Sequence, residues 1–420
     1  MENQKTVYDM SWIENVMTII KQPLPCYTFE LDEEVNGEIL QSAVNRAVKL
    51  HPHFRSGFRP KGNGLYEFVR IDADPRVLAC AWQEEISMDV STEDKYPWVV
   101  CYTENKVVFT GLHLVCDGTG ILNFMNDVLG FYFVEAGKLT LEALGIPDEP
   151  QSNWTEDPFL KIFRPDAAKP YTLPAFGDLI EIPESEFSEQ GVQAVTFEIN
   201  TADIKKYAVS SEVSQFAVIT YYLMQAMQKV VKTDRGNIRS GLPINIRNMY
   251  GVSTDRNFIA SASIKYVMEK MPHLPRALVE TVFRSQLDLY SDQDLIRYNL
   301  SRTVIAANTR MNVLINGYMN DNPFLEPKAD ILFTFVNKDM IHEQLKPHII
   351  NYYVSSPRNS FPVKRTVAYA NAYKDHVTLT IIHPYKSTEL QDSIYEALTR
   401  DGIRFTSKET EMHAPINYIY

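Results

Sequence analysis

The chain has 420 residues, 45% of them hydrophobic and 22% charged, which is ordinary globular composition with apolar material for more than one core. A formal net charge of −12, with no Lys/Arg run, excludes the basic face of a typical nucleic-acid-binding protein. The four cysteines (Cys26, Cys80, Cys101, Cys116) are scattered without a C-x-x-C pair, which points to reduced thiols in a cytoplasmic protein and indicates no zinc site.

In chain order, the opening stretch MENQKTVYDMSWIENVMTII has acidic residues and lacks both the basic n-region and the long apolar core of a signal peptide. No run is long and apolar enough to predict a spanning helix. Ser11 and Glu14 have the spacing of a capping box, which predicts a helix start. CYTFELD (26–32) alternates as a strand. Next, Ile39, Leu40, Ala43, Val44, Ala47, Val48 and Leu50 recur at helical spacing, with Asn36 as N-cap and Pro52 near the end. KVVFTGLHLV (106–115) predicts a second strand, and ILNFMNDVLGFYF (121–133) a helix after Gly118 and Gly120. Prolines punctuate 138–190, yet Trp154, Phe159, Phe163 and Phe176 lie within it, so this candidate linker should be packed. Beyond it, Thr196-Phe197-Glu198-Ile199 echoes Thr28-Phe29-Glu30-Leu31, and HVTLTIIHPYKSTELQDSIYEAL (376–398) echoes the strand, turn and helix of residues 106–129. Two α/β (α+β) halves of similar plan, residues 1–185 and 186–420, follow from this reading.

The stretch that raises a chemical question is GLHLVCDGTG (111–120). Histidine titrates near neutral pH and suits proton abstraction, and a following Asp-Gly would let a tight turn aim it. The same residues also fit an ordinary strand end running into a common turn dipeptide.

His113-x-x-x-Asp117-Gly118, after an apolar strand and opening a helix, resembles the signature of the chloramphenicol acetyltransferase-like superfamily, which includes peptide-synthetase condensation domains and alcohol acetyltransferase-like proteins. Other stretches agree in order. The helix running into His51, Pro52, Phe54 and Arg55 is similar to the family's early helix and turn. GLPINIRNMYGVSTDRNF (241–258), with Arg247 and the pair Arg256-Asn257, resembles its second-half strand and loop, and ILFTFVNKD (331–339) the strand before an Asn in the crossover region. The resemblance spans roughly the whole chain. It implies two acetyltransferase-like halves, each a mixed sheet flanked by helices, packed in a V around a tunnel.

The resemblance also implies an acyltransferase in which His113 is the general base, with no acyl-enzyme. An acyl thioester would donate to an alcohol or amine acceptor; the net charge of −12 gives no favourable steering toward an acidic carrier protein, which favours coenzyme A as the donor. No permanently bound cofactor and no metal are expected. Asp117 would pair with Arg55 or Arg247, and Gly118 would shape the turn; His113, Asp117, Gly118 and Arg247 form the expected site. Backbone N–H groups near Gly118, or Thr334, are candidate oxyanion donors. Cys116 is expected to be packing, because an odd offset on a strand turns it from His113. His383, followed by Pro384 and Tyr385, is expected to be a structural counterpart of His113, and His51/His53 lack the company of a metal site. Arg302, Arg310, Arg358, Lys364 and Arg365 are scattered candidates for coenzyme A phosphates, each also readable as solvated surface. Leu112 stands where many condensation domains have a first histidine, and no D-F-G-W-G segment occurs in 367–380, which argues against the plant-type branch. A chain with both halves should form its site as a monomer. The competing readings are a non-catalytic condensation-like module that binds an acyl carrier or a synthetase partner, and a hydrolase in which His113 activates water.

Overall fold

The computed structural model describes residues 6–18, 25–80, 86–89, 93–147, 149–150, 153–173, 177–189, 191–305, 330–336, 339–357, 365–410 and 416–419. Its first large sheet is built on an antiparallel hairpin, Trp98–Thr103 with Lys106–Gly111. Both strands are rich in β-branched and aromatic residues, which pack well on a pleated surface. Cys26–Leu31 pairs antiparallel along the other side of Lys106–Gly111, and Leu78–Ala79 adds a short parallel edge beside Trp98–Thr103. The fifth strand, Ile349–Ser355, comes from far down the chain and pairs antiparallel with Cys26–Leu31. Sheet membership therefore crosses the boundary at residue 185 through this strand.

The second lobe is organised by a seven-stranded sheet, ordered Ile259–Val267, Asn237–Asn245, Asp330–Val336, Thr366–Tyr373, His376–His383, Gln193–Asn200 and Phe405–Glu409. It is mixed: Asp330–Val336 runs parallel to both neighbours, and the remaining pairs are antiparallel. The expected echo is present. Lys106–Gly111 leads to a helix at Gly118–Glu135, and His376–His383 leads to one at Glu389–Arg400. The two-lobed α/β architecture expected from the sequence is thus present.

Local signals explain the helices around the site. Ser11 and Glu14 form the expected capping box at Trp12–Met17, with the Ser11 amide donating to Glu14 Oε2 at 2.7 Å. The Asn36 side chain accepts from the Glu38 and Ile39 amides and starts Gly37–Leu50. That helix buries Leu40, Ala43, Val44, Ala47 and Val48 against the motif helix Gly118–Glu135. Each buried Leu or Val side chain contributes about 1.5–3 kcal/mol relative to exposure. It stops because Pro52 disfavours helical geometry at His51, whose φ is −117° and ψ is 67°. The proline-punctuated segment is packed, as expected. Phe159 and Ile162 are buried with Ile13, Ile246 and Phe258, and Trp154 meets Tyr8 edge-on at 5.1 Å. Phe176 lies outside the described residues.

Candidate active site

The strand carrying the motif ends earlier than its apolar run suggests, at Gly111 instead of Val115. Backbone geometry gives the reason. Leu112 N–H makes the last bond across the hairpin, to the Pro97 carbonyl at 2.8 Å, and Val115 N–H then closes a turn onto the Leu112 carbonyl at 3.0 Å. At Gly111 the neighbouring strand comes so close that a Cβ would lie 2.5 Å from the Trp98 Cβ. His113 therefore sits on a turn, where strand alternation does not separate it from Cys116. What makes Cys116 a packing residue is burial, which pushes its thiol far above the ordinary range, with help from the nearby charges of Asp117 and Asp255.

Asp117 is the best-connected side chain of the motif. It is the N-cap of the motif helix, with Oδ1 accepting from the Thr119 and Gly120 amides, both at 3.1 Å. Oδ2 reaches the other lobe, accepting from Arg247 Nη1 at 2.8 Å and from the Phe258 amide at 2.9 Å. The sequence left two candidate arginine partners, and the structure selects Arg247. Arg55 instead donates to the Ile71 and Asp72 carbonyls and pairs with Asp74. Arg247 spends its remaining donors on the Thr254 carbonyl at 2.9 Å and the Arg256 carbonyl at 2.7 Å. With these donors and acceptors committed to one another and to backbone groups, this pair holds the turn. Gly118 admits the Tyr27 ring, since a Cβ there would lie 2.5 Å from the Tyr27 hydroxyl.

His113 differs from its neighbours in leaving a buried ring nitrogen uncommitted. Nδ1 is buried without a hydrogen bond. Burial lowers its pKa below the ordinary imidazole value, opposed by its own backbone carbonyl, the Asp117 charge and the Asn257 side chain. The imidazole is therefore neutral at pH 7, as a general base must be.

Sequence reasoning missed how the second lobe grips this turn. Residues Thr254–Phe258 each meet a partner around it. Asp255 Oδ2 accepts from His51 Nδ1 at 2.8 Å, while His51 Nε2 donates to Asp127 Oδ2 at 2.9 Å. Two carboxylates on two ring nitrogens require an imidazolium, and despite burial they raise the His51 pKa to about 9. Arg256 is fully buried and pairs with Glu14 at 2.5 Å. Asn257 donates to the His113 and Leu114 carbonyls at 3.0 and 3.1 Å. Gly120 permits the approach, because a Cβ there would overlap the Asp255 carbonyl oxygen. Below the turn, His53 Nε2 donates to the Val115 carbonyl at 2.5 Å and Nδ1 accepts from Tyr8 at 2.7 Å. Burial depresses its pKa to about 4, so His53 is a neutral prop. Neither the metal question nor the likeness of the His51-Pro52 turn to the family's pattern points to these hydrogen bonds; among the described residues no group suited to a metal occurs.

The remaining candidates divide. Thr334 lies on Asp330–Val336, on the same face as Leu332, which packs against the first lobe's core. Asn337, Arg310, Arg358 and Lys364 lie outside the described residues. Arg302 is exposed beside Tyr298. Arg365, expected on solvated surface, is 4% exposed and ion-paired with Asp330. His383 is buried and donates from Nε2 to Gln391 Oε1 at 2.8 Å, a packed position. No described helix is long and apolar enough to cross a membrane.

No protein-family model matches the chain, and no curated protein matches it by sequence. Solved structures do. Polyketide synthase associated protein 5 from Mycobacterium tuberculosis superposes with a TM-score of 0.62 at 14% identity, over 94% of this chain and 98% of that one. TRI3 trichothecene 15-O-acetyltransferase from Fusarium sporotrichioides gives 0.64 at 11% identity, over 96% of each chain. TRI101 from F. sporotrichioides, solved with coenzyme A and T-2, gives 0.59 at 11% identity, over 95% of this chain and 99% of that one. At these identities the likeness is one of fold.

Proposed function

Since the chain has the fold of chloramphenicol acetyltransferase-like proteins, we propose that it is an acyltransferase that moves an acyl group from a thioester, preferably of coenzyme A, to an alcohol or amine. The observation that carries this reading is His113. It is a neutral imidazole on a turn whose other polar side chain, Asp117, is fully spent on holding it in place. The His113 ring takes the proton of the acceptor O–H or N–H as that atom attacks the thioester carbonyl. The new C–O or C–N bond forms, the C–S bond breaks, and the imidazolium returns the proton to the departing thiolate. Holding both substrates together supplies much of the rate, and a general base contributes about a hundred- to ten-thousand-fold. Asp117, Gly118 and Arg247 act as positioning residues. Both lobes contribute to the turn within one chain, which supports a monomeric enzyme with units at 1–185 and 186–420, the second lending its Ile349–Ser355 strand to the first unit's sheet. Coenzyme A use rests on the ligand named for the TRI101 structure.

The test follows free thiol from acetyl- and longer acyl-coenzyme A, with and without pooled alcohols and amines. Acceptor-dependent release lost in His113→Ala supports transfer. Release without acceptor replaces this reading with hydrolysis, and no release from any donor favours a binding module.

A further inference from the structure

We propose that His51 is a positioning residue: its imidazolium bridges Asp127 of the motif helix and Asp255 of the second lobe, holds the motif turn in register with that lobe, and thereby sets an alkaline limit to acyl transfer. The kinetic part of the inference rests on the reading of His113 as base.

The motif helix Gly118–Glu135 is tied to the second lobe at two points. At its N-cap, Asp117 Oδ2 accepts from Arg247 Nη1 and from the Phe258 amide. Ten residues further along, His51 Nε2 donates to Asp127 Oδ2 at 2.9 Å, and His51 Nδ1 donates to Asp255 Oδ2 at 2.8 Å. At a rise of about 1.5 Å per residue, the two ties are about 15 Å apart along the helix. A helix pinned at one end can still swing about that end. Pinned at both, it keeps the turn it carries in place against the second lobe.

The second tie depends on one proton. His51 pairs with both carboxylates, and all three residues are buried. A neutral imidazole has one donor, so on deprotonation one carboxylate would face a ring lone pair without solvent to screen it, and the tie would open on that side. The groups around the ring come from three elements. Phe54, just beyond the early helix, and Phe124, on the motif helix, meet it edge-on at 6.1 and 5.7 Å. From the second-lobe loop comes Asp255, which also bonds the Asn123 side chain, an amide that does not titrate. The charged pairs Asp117–Arg247 and Glu14–Arg256 flank that loop. Of the neighbouring titratable groups, burial holds His53 at about 4 and His113 below the ordinary imidazole value, and keeps the Tyr8 hydroxyl and the Cys116 thiol protonated well above pH 9. His51, held at about 9, is the group that changes charge between them.

The experiment uses the full-length 15N-labelled protein, at pH values where circular dichroism shows it folded. By NMR, His51 should be an imidazolium at pH 7 and lose its proton with a midpoint of about 9. As that proton leaves, kcat for thiol release should fall about eightfold between about pH 8.5 and 10, while KM stays within about threefold. Asp127→Asn puts an amide beside the ring that can accept from its charged form or donate to its neutral form, so kcat should stay level over the same range. His51→Gln has donors on one atom only and cannot reach carboxylates at opposite ends of the ring. It should lower kcat about 10- to 100-fold at pH 7 and remove the alkaline fall. A neutral His51 at pH 7 overturns the proposal, as does a wild-type kcat level to pH 10 or a fall that persists in Asp127→Asn. If a variant does not fold, the wild-type titration and pH profile still decide. If the wild type transfers no acyl group, the base reading fails and the Thr119, Gly120 and Phe258 amide signals decide the bridge. Shifts with a midpoint of about 9 support it, and their absence overturns it.

Discussion

Removing the Asp117 carboxylate tests whether the motif aspartate is structural, and its cost follows from its four bonds. Asp117→Ala leaves the Thr119, Gly120 and Phe258 amides and Arg247 Nη1 without their carboxylate partner. Breaking a buried ion pair costs about 3–5 kcal/mol, and losing a helix N-cap about 1 kcal/mol. Because Arg247 retains the Thr254 and Arg256 carbonyls, a total near 5 kcal/mol is expected. Arg247→Met should cost less, about 3 kcal/mol, since three amides still bind the remaining carboxylate. In the double variant no charge is left stranded, so its cost should be about 5 kcal/mol, far below the sum of the single effects. Urea denaturation followed by tryptophan fluorescence and far-UV circular dichroism reads this cycle, with coincident transitions as the check on cooperativity. Additivity within about 0.5 kcal/mol would refute a direct pair.

The His51 bridge predicts a pH dependence. Its pKa is raised from 6.5 to about 9 on folding, so its stabilisation is complete below about pH 6.5 and is lost as pH rises through 9. The loss approaches about 3 kcal/mol, and stability against pH should be flatter in His51→Gln. Gly118→Ala should impair folding and acyl transfer, and adding Tyr27→Phe should restore much of both, because the next Tyr27 atom is 3.7 Å from the new Cβ. Cys116→Ala should keep thiol release within about threefold of wild type; loss of turnover would revive a cysteine nucleophile.

Short-range structure was legible in the sequence because its causes are short-range. The Ser11–Glu14 box, the Asn36 cap and the apolar stripe of Gly37–Leu50 each depend on side chains within a turn or two. The motif was legible in the same way, down to Asp117 shaping the turn. The end of the strand was not, because Val115 is as apolar as a strand residue and only the Pro97 carbonyl shows where pairing stops. Nor was the choice of Arg247 over Arg55, since it depends on a contact 130 positions away along the chain. Ile349–Ser355 lies in the second half of the chain, and nothing local says that it pairs with Cys26–Leu31. Arg256 and Asn257 stood out by resemblance, but what they grip became visible only when the lobes met.

That grip separates stability from specificity, and Arg256 with Glu14 is where the two can be told apart. Both side chains are fully inaccessible, so each has surrendered its hydration. The desolvation penalty of such a pair can exceed its Coulombic gain, and apolar replacements of similar volume are often neutral or stabilising. The Arg256 guanidinium also lies against the Tyr8 and Phe68 rings, at 5.4 and 5.6 Å, which an aliphatic chain can equally cover. Glu14→Leu with Arg256→Met should therefore cost only about 1–2 kcal/mol, most of it the lost capping bond to the Ser11 amide, whereas Arg256→Met alone strands Glu14 and costs about 3–5 kcal/mol. What the apolar pair lacks is direction. The guanidinium also donates to the Asp9 carbonyl at 2.8 Å, fixing the position of the residue that precedes Asn257. A stable double variant with a lowered kcat would show that the buried charges set register between the lobes. A stable double variant with unchanged kcat would show that packing alone aims the turn.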